Sequence, residues 1–319
     1  MIRKIVFILL MILAVVLGIL AHYFHWNPFN PMHAGRLSVG DLTREFIYYV
    51  PKGLAEHPGL VFVLHGSEMT SSEMRRITGK QFDRFADKYK DLIVVYPQGF
   101  HGYWNDCRRV VFSDAQKLNV DDTGFFKMMS RFFFEKYAID TTRLFAVGYS
   151  NGGQMCYRFA KEKPEMFRGI AVLCANLPVT ENDRCLDAGK PVSILIMNGT
   201  TDPISPYGGG EVTLNGGVRR GMVYSTAQTL DFWLARDSCE KSTEVRYDFP
   251  DLKKKDSSLV IRYSYSAPRS DKVVILVKII NGGHTIPNPG FSFWSRGVGN
   301  VNKDINAPEV IVDFFRKLK

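Results

Sequence analysis

One serine sits between two glycines in Gly148-Tyr149-Ser150-Asn151-Gly152. An apolar run, Leu144 to Val147, precedes it, and a stretch with helical spacing, Gly152 to Lys163, follows. A nucleophile elbow needs this strand–turn–helix setting: small residues let the backbone turn tightly, and the hydroxyl is pushed out at the strand end. The helix start behind it favours developing negative charge. A serine hydroxyl attacks a carbonyl only when a base takes its proton. On a fold carrying such an elbow the partners follow in the order serine, acid, histidine. Asp202 lies in the turn Asn198 to Pro203, just after the apolar run Val192 to Met197, and is the candidate acid. His284 follows the run Val273 to Ile279 and the pair Gly282-Gly283, and is the only one of seven histidines after Ser150. It is the candidate base. The chemistry these three residues point to is nucleophilic acyl transfer through a covalent acyl-enzyme. Two backbone N–H groups must then hold the oxyanion. Asn151, next to the nucleophile, supplies one, and Ser67, in the loop His65 to Glu68, the other. His65 reads as a loop-orienting residue rather than a second base.

Short apolar runs must position these groups. Arg44–Val50, Leu60–Leu64, Leu92–Tyr96, Leu144–Val147, Ile170–Leu173, Val192–Met197 and Val273–Ile279 read as strands, most of them apolar enough to be buried on both faces. Between them, Ser71–Tyr89, Asp121–Tyr137, Gly152–Lys163, Met222–Arg236 and Pro308–Leu318 read as helices. Strand and helix alternate. This predicts an α/β chain with the α/β-hydrolase fold, a mostly parallel central sheet and helices on both faces.

The chain has 319 residues, 45% of them hydrophobic, and a formal net charge of +9. The positive charge is scattered; its one tight cluster, Lys253-Lys254-Lys255, is flanked by Asp251 and Asp256. No basic face interleaved with aromatics is present, which argues against a nucleic-acid partner. Arg3 and Lys4 precede an apolar run from Ile5 to Ala21, the layout of an export signal. Residues 1–26 are therefore expected to be a signal peptide or signal anchor, with membrane contact if uncleaved. Poor cleavage sites at Ile19-Leu20-Ala21 and Met32-His33-Ala34 favour the anchor. Residues 27–40, with Pro28 and Pro31, read as a linker, and 41–319 as one catalytic domain. The cysteines are Cys107, Cys156, Cys174, Cys185 and Cys239. Cys156 and Cys174 read as core thiols, and the odd count leaves at least one thiol free. No spacing suits zinc or haem, so no metal and no cofactor is predicted, nor any obligate protein partner.

With these residues in place the chain resembles the polyhydroxybutyrate-depolymerase-like esterases, which group with feruloyl and acetylxylan esterases of carbohydrate esterase family one. The resemblance runs from about Arg44 to Phe315. VLHGS resembles VLHGC, GYWNDCR is close to the family string, and VDDTGF resembles VDDVGF. GYSNGGQMCYRFA resembles GMSNGAMMAYRLA, NGTTDPISPYGGG resembles HGTADPIVPYAGG, and GGHTIP resembles GGHTWP. The resemblance implies Ser150, Asp202 and His284 as a triad acting on small or oligomeric esters of hydroxyalkanoate, feruloyl or acetyl type. Ser67 stands where the family has Cys, which removes one disulfide partner. Ile286 stands where a Trp is usual beside the base, so the acyl side of the cleft is expected to differ. Trp104, Tyr207 and Ile286 are the candidate substrate-binding residues, with Tyr103, Phe293 and Trp294 as further aromatics near the cleft; for the aromatics, core packing is an equal alternative. An acyltransferase or peptidase using the same triad is the second reading. A non-catalytic scaffold is the third, and an intact triad argues against it.

Overall fold

The computed structural model describes residue 11 and residues 32–214, 217–290 and 297–318. Apart from position 11, the run Ile5 to Ala21 lies outside the described residues, as do Phe293 and Trp294. Among the described residues no helix is long and apolar enough to cross a membrane.

Six strands are parallel neighbours: β4 (Leu92–Pro97), β3 (Gly59–Leu64), β5 (Leu144–Tyr149), β6 (Gly169–Leu173), β7 (Ser193–Gly199) and β12 (Val273–Ile280). Antiparallel strands flank them: β1 (His33–Val39) and β2 (Leu42–Tyr49) beyond β4, and β11 (Leu259–Ser266) and β10 (Val245–Asp248) beyond β12. A separate hairpin pairs β8 (Gly210–Leu214) with β9 (Val218–Val223).

Side chains alternate between the two faces, and both faces are covered. Leu60, Phe62 and Leu64 join a core with Phe125, Phe126, Met155, Phe159 and Trp233. Val61 and Val63 join the opposite core with Met74, Phe82, Ile311 and Phe315. Two-sided burial is the physical reason these strands read as continuous apolar runs. The covering helices are α1 (Ser71–Ile77), α2 (Gln81–Tyr89), α3 (Asp114–Lys117), α4 (Asp122–Tyr137), α5 (Asn151–Glu162), α6 (Thr226–Arg236) and α7 (Ala307–Lys317). The chain adopts the α/β-hydrolase architecture that its elements predict.

Three expectations need correcting. The stretch Ser71 to Tyr89 is two helices, because Gly79 and Lys80 both take positive φ, 62° and 56°. The helix expected from Met222 starts at Thr226 instead. Ser225 caps it, accepting the Gln228 N–H, while Met222 and Val223 belong to β9. Residues 33–39 of the expected linker form edge strand β1, paired with β2 from His33 opposite Tyr48 to Val39 opposite Leu42. Leu37 and Val39 face inward while Arg36 and Ser38 face water, an alternation masked by the prolines just before it.

Candidate active site

Ser150, Asp202 and His284 follow β5, β7 and β12, all at the C-terminal edge of the parallel strands. Ligands bind at this edge in open α/β sheets. Ser150 has φ 56° and ψ −114°, a strained turn held between β5 and α5. The turn needs its glycines. A Cβ on Gly148 would lie 2.1 Å from the Gly152 carbonyl oxygen, and one on Gly152 would lie 2.6 Å from the carbonyl oxygens of Leu64 and His65.

The acid and base turns are fastened together by backbone contacts. The Thr201 N–H and hydroxyl both donate to the Gly282 carbonyl, each at 3.0 Å. A Cβ on Gly199 would sit 2.2 Å from that same oxygen, which accounts for Asn198-Gly199 ahead of the acid. The His284 N–H donates to the Val298 carbonyl at 2.6 Å. In this frame His284 Nδ1 lies 2.7 Å from Asp202 Oδ2, with both side chains buried. The other carboxylate oxygen, Oδ1, accepts the N–H groups of Ile204 and Ser205, each at 2.8 Å. Asp202 is therefore fully engaged as an acceptor, so Nδ1 carries the proton and Nε2 is left basic. Tyr149, beside Ser150, packs its ring 5.2 Å from the His284 ring and donates its hydroxyl to the His284 carbonyl at 2.7 Å. These contacts seat the base beside the elbow.

Sequence reading missed the place of Cys174 here. Its sulfur, an Asp202 oxygen and a His284 nitrogen lie within 4.8 Å of one another. Cys, Asp and His are metal-ligand types, but these donors are already satisfied. The thiol donates to the Thr285 carbonyl at 3.4 Å, and burial holds its pKa well above the ordinary thiol range. The second such group, Cys107, Asp183 and Cys185, contains a disulfide between its two cysteines.

The Asn151 side chain is gripped from below. Its Oδ1 accepts the Trp104 N–H at 2.9 Å, and its Nδ2 donates to Asp106 Oδ2 at 2.6 Å. Asp106 pairs in turn with Arg108, Nη2 to Oδ2 at 2.5 Å. The Cys107–Cys185 bridge closes this loop onto a segment 78 residues away. A link of that span stabilises by about 4.5 kcal/mol in the chain-entropy model. Asp122 completes the brace: one oxygen accepts from Arg44 and the other from the Asn105 N–H, each at 2.7 Å. This is the physical content of the NDCR and VDD strings. They position the loop beneath Asn151, and nothing in their spacing revealed that partnership.

Ser67 is half-buried in the loop after β3, where the next N–H, that of Glu68, is taken by the Gly102 carbonyl at 2.9 Å. His65 is structural, as expected. Its Nδ1 meets the Gly66 carbonyl at 2.7 Å, and its Nε2 accepts the Gly99 N–H at 2.9 Å. Burial pushes its pKa down from 6.5 to about 4. The sign follows. Protons bind the unfolded chain in preference to the folded one between those values, so stability is full above pH 6.5 and is lost as pH falls towards 4. The loss from this residue amounts to about 3 kcal/mol. In urea melts at about pH 7 and about pH 4.5, either side of the ordinary histidine range, His65→Gln is expected to show a smaller acid-induced drop than the unchanged protein. Equal drops would mean that His65 is charged in the folded state.

Two candidate substrate contacts need correction. Trp104 is 0% exposed, with its indole N–H on the His65 carbonyl at 2.9 Å and its ring against His65 and Phe126. It packs under the elbow and holds Asn151 through its backbone. Ile286 is 5% exposed and belongs to the core cluster containing Met74 and Ile305, behind the base. Tyr207 is half-buried, with Lys278 Nζ 5.7 Å from its ring centre. Burial pushes its phenol up to about 12.

Known proteins resemble the chain at the level of fold and class. No protein-family profile matches the chain. A putative esterase, NocK, of Nocardia uniformis subsp. tsuyamanensis is 24% identical over 289 residues, covering 88% of this chain and 81% of that one. A solved acetyl xylan esterase from Aspergillus awamori superposes with a TM-score of 0.55 at 17% identity, covering 80% of this chain and 95% of that one. The chain is an esterase-type α/β-hydrolase. A probable feruloyl esterase C of Aspergillus oryzae is 26% identical over 176 residues, 54% of this chain. The match spans 60% of that relative's length. These likenesses agree with the acetylxylan and feruloyl esterase branch that the motifs resemble.

Proposed function

We propose that this esterase works through Ser150, with His284 as its base and Asp202 as the group that orients the base. The observation that carries the reading is the buried contact of His284 Nδ1 with Asp202 Oδ2 at 2.7 Å, formed by turns at the same sheet edge as the strained Ser150 elbow. Ser150 Oγ attacks the ester carbonyl carbon, and its proton passes to His284 Nε2. The tetrahedral oxyanion is held by the Asn151 and Ser67 N–H groups. Collapse breaks the bond to the alcohol oxygen, which leaves with the proton from His284. Water, deprotonated by the same nitrogen, then releases the acid and restores Ser150. Imidazolium formed in these steps is stabilised by the Asp202 carboxylate.

The substrates proposed are small or oligomeric carboxylic esters of hydroxyalkanoate, feruloyl or acetyl type, with Tyr207 as the remaining proposed substrate contact. The chain is further proposed to be exported, with residues 1–26 a signal or anchor and the catalytic domain following. A panel of p-nitrophenyl, feruloyl, acetyl-xylan and hydroxybutyrate esters tests the class. Turnover of at least one, abolished by a fluorophosphonate, is expected. Turnover of none, or turnover that survives complete fluorophosphonate labelling, would contradict it.

A further inference from the structure

We infer that Arg220 binds a carboxylate of the substrate, so that the preferred ester is one carrying a free carboxylate group. The inference rests on the reading of Ser150 as an ester hydrolase nucleophile and adds the substrate feature that this site selects. Arg220 is on β9 and only 3% exposed, yet among the described residues its Nε and Nη1 have no hydrogen-bond partner. Its guanidinium lies 3.8 Å from the Phe112 ring centre and 5.5 Å from that of Tyr103. Stacking on a ring supports a guanidinium but satisfies none of its N–H groups. Arg108 lies on the same Phe112 ring at 4.6 Å, but it is neutralised by Asp106. Arg220 has no such ion pair among the described residues: Glu68, the acidic group whose charge acts on it, accepts from the Tyr103 hydroxyl at 2.6 Å. A buried cation without a paired anion costs several kcal/mol. An anion arriving with the substrate supplies the missing partner.

The position suits that role. Val212 and Val223 of the hairpin pack with Ile204 and Val298. Ile204 donates its N–H to Asp202, and the Val298 carbonyl accepts from His284. One side of the hairpin is thus seated on the acid and base turns. Arg220 reaches the other side. Tyr103 precedes Trp104, which holds Asn151, and the phenol donates to Glu68, the residue after Ser67. Arg220 therefore belongs to a hairpin seated on the acid and base turns and stacks on the loop that carries Tyr103 and Trp104. Phe112 and Tyr103 around it are half-exposed aromatics. Such walls suit an organic carboxylate, which a guanidinium takes with charge-assisted hydrogen bonds.

Two matched pairs of esters test the inference and separate the two sides of the cleft. p-Nitrophenyl hemisuccinate and its methyl ester place the charge on the acyl side. The dimer of 3-hydroxybutyrate and its methyl ester place it on the alcohol side. The unchanged protein is expected to prefer the free carboxylate in one pair by about tenfold or more in kcat/KM. Arg220→Gln is expected to bring that ratio close to one, and Arg220→Lys to an intermediate value. Equal kcat/KM for acid and methyl ester in both pairs, a comparison needing no variant, would overturn the inference. So would a preference that survives in Arg220→Gln. Failure of the underlying esterase reading shows elsewhere, as no turnover of uncharged p-nitrophenyl acetate.

Discussion

Ser150→Ala is expected to lower ester hydrolysis by a factor on the order of 10³ or more, with unchanged folding. The substitution removes one oxygen and keeps the Cβ. Alanine inherits the same positive-φ turn, 56°, that serine already occupies. The turn is fixed by neighbours rather than by the hydroxyl: the Ser150 N–H donates to the Leu173 carbonyl at 2.9 Å, and its carbonyl accepts from Gln154 at 3.0 Å. The check is kcat/KM on an activated ester alongside a thermal melt. A variant with native activity and a native melt would remove Ser150 from the chemistry.

His284→Ala is expected to cost about as much as losing Ser150, and the double variant little more than either single one, because the residues act as a unit. Asp202→Asn tests the orienting role. An amide can present an N–H to Nδ1, which favours the tautomer whose proton sits on Nε2, so Ser150 faces a donor instead of a base. A loss on the order of 10⁴ in kcat is expected, by comparison with the same substitution in another triad. The Ile204 and Ser205 N–H groups still meet an oxygen only if the new amide keeps its oxygen on their side. That arrangement is the one that turns the amide N–H toward the histidine. Losses that multiply in the double variant, or an Asp202→Asn variant near native activity, would break the unit.

Much of this site was legible because its chemistry is local. The elbow needs Gly148 and Gly152 for close backbone approach, and the acid and base turns need Gly199 and Gly283 where each touches another segment. Each leaves a mark in its own short string. The two-sided strands were legible for the same reason: burial on both faces writes a continuous apolar run. The edge strands were not. β1 and β10 form the two sheet margins: the alternation of His33–Val39 is hidden behind the prolines before it, and Val245–Asp248 is short and exposed along its whole length. Trp104 misled because an aromatic next to a motif reads equally as wall or core, and only packing decides. The Asp106–Asn151 contact joins residues 45 apart in the chain, and Arg220 meets Phe112 across a still longer separation, so no spacing rule reaches either.

The central claim is that Ser150 is the covalent nucleophile of this esterase. Labelling the protein with a fluorophosphonate, digesting it and locating the modified residue by mass spectrometry tests it most directly. The account predicts a single phosphonylated site at Ser150, formed at the rate at which ester hydrolysis is lost. A modification on another serine with Ser150 unlabelled, or loss of activity with no adduct on Ser150, would contradict it.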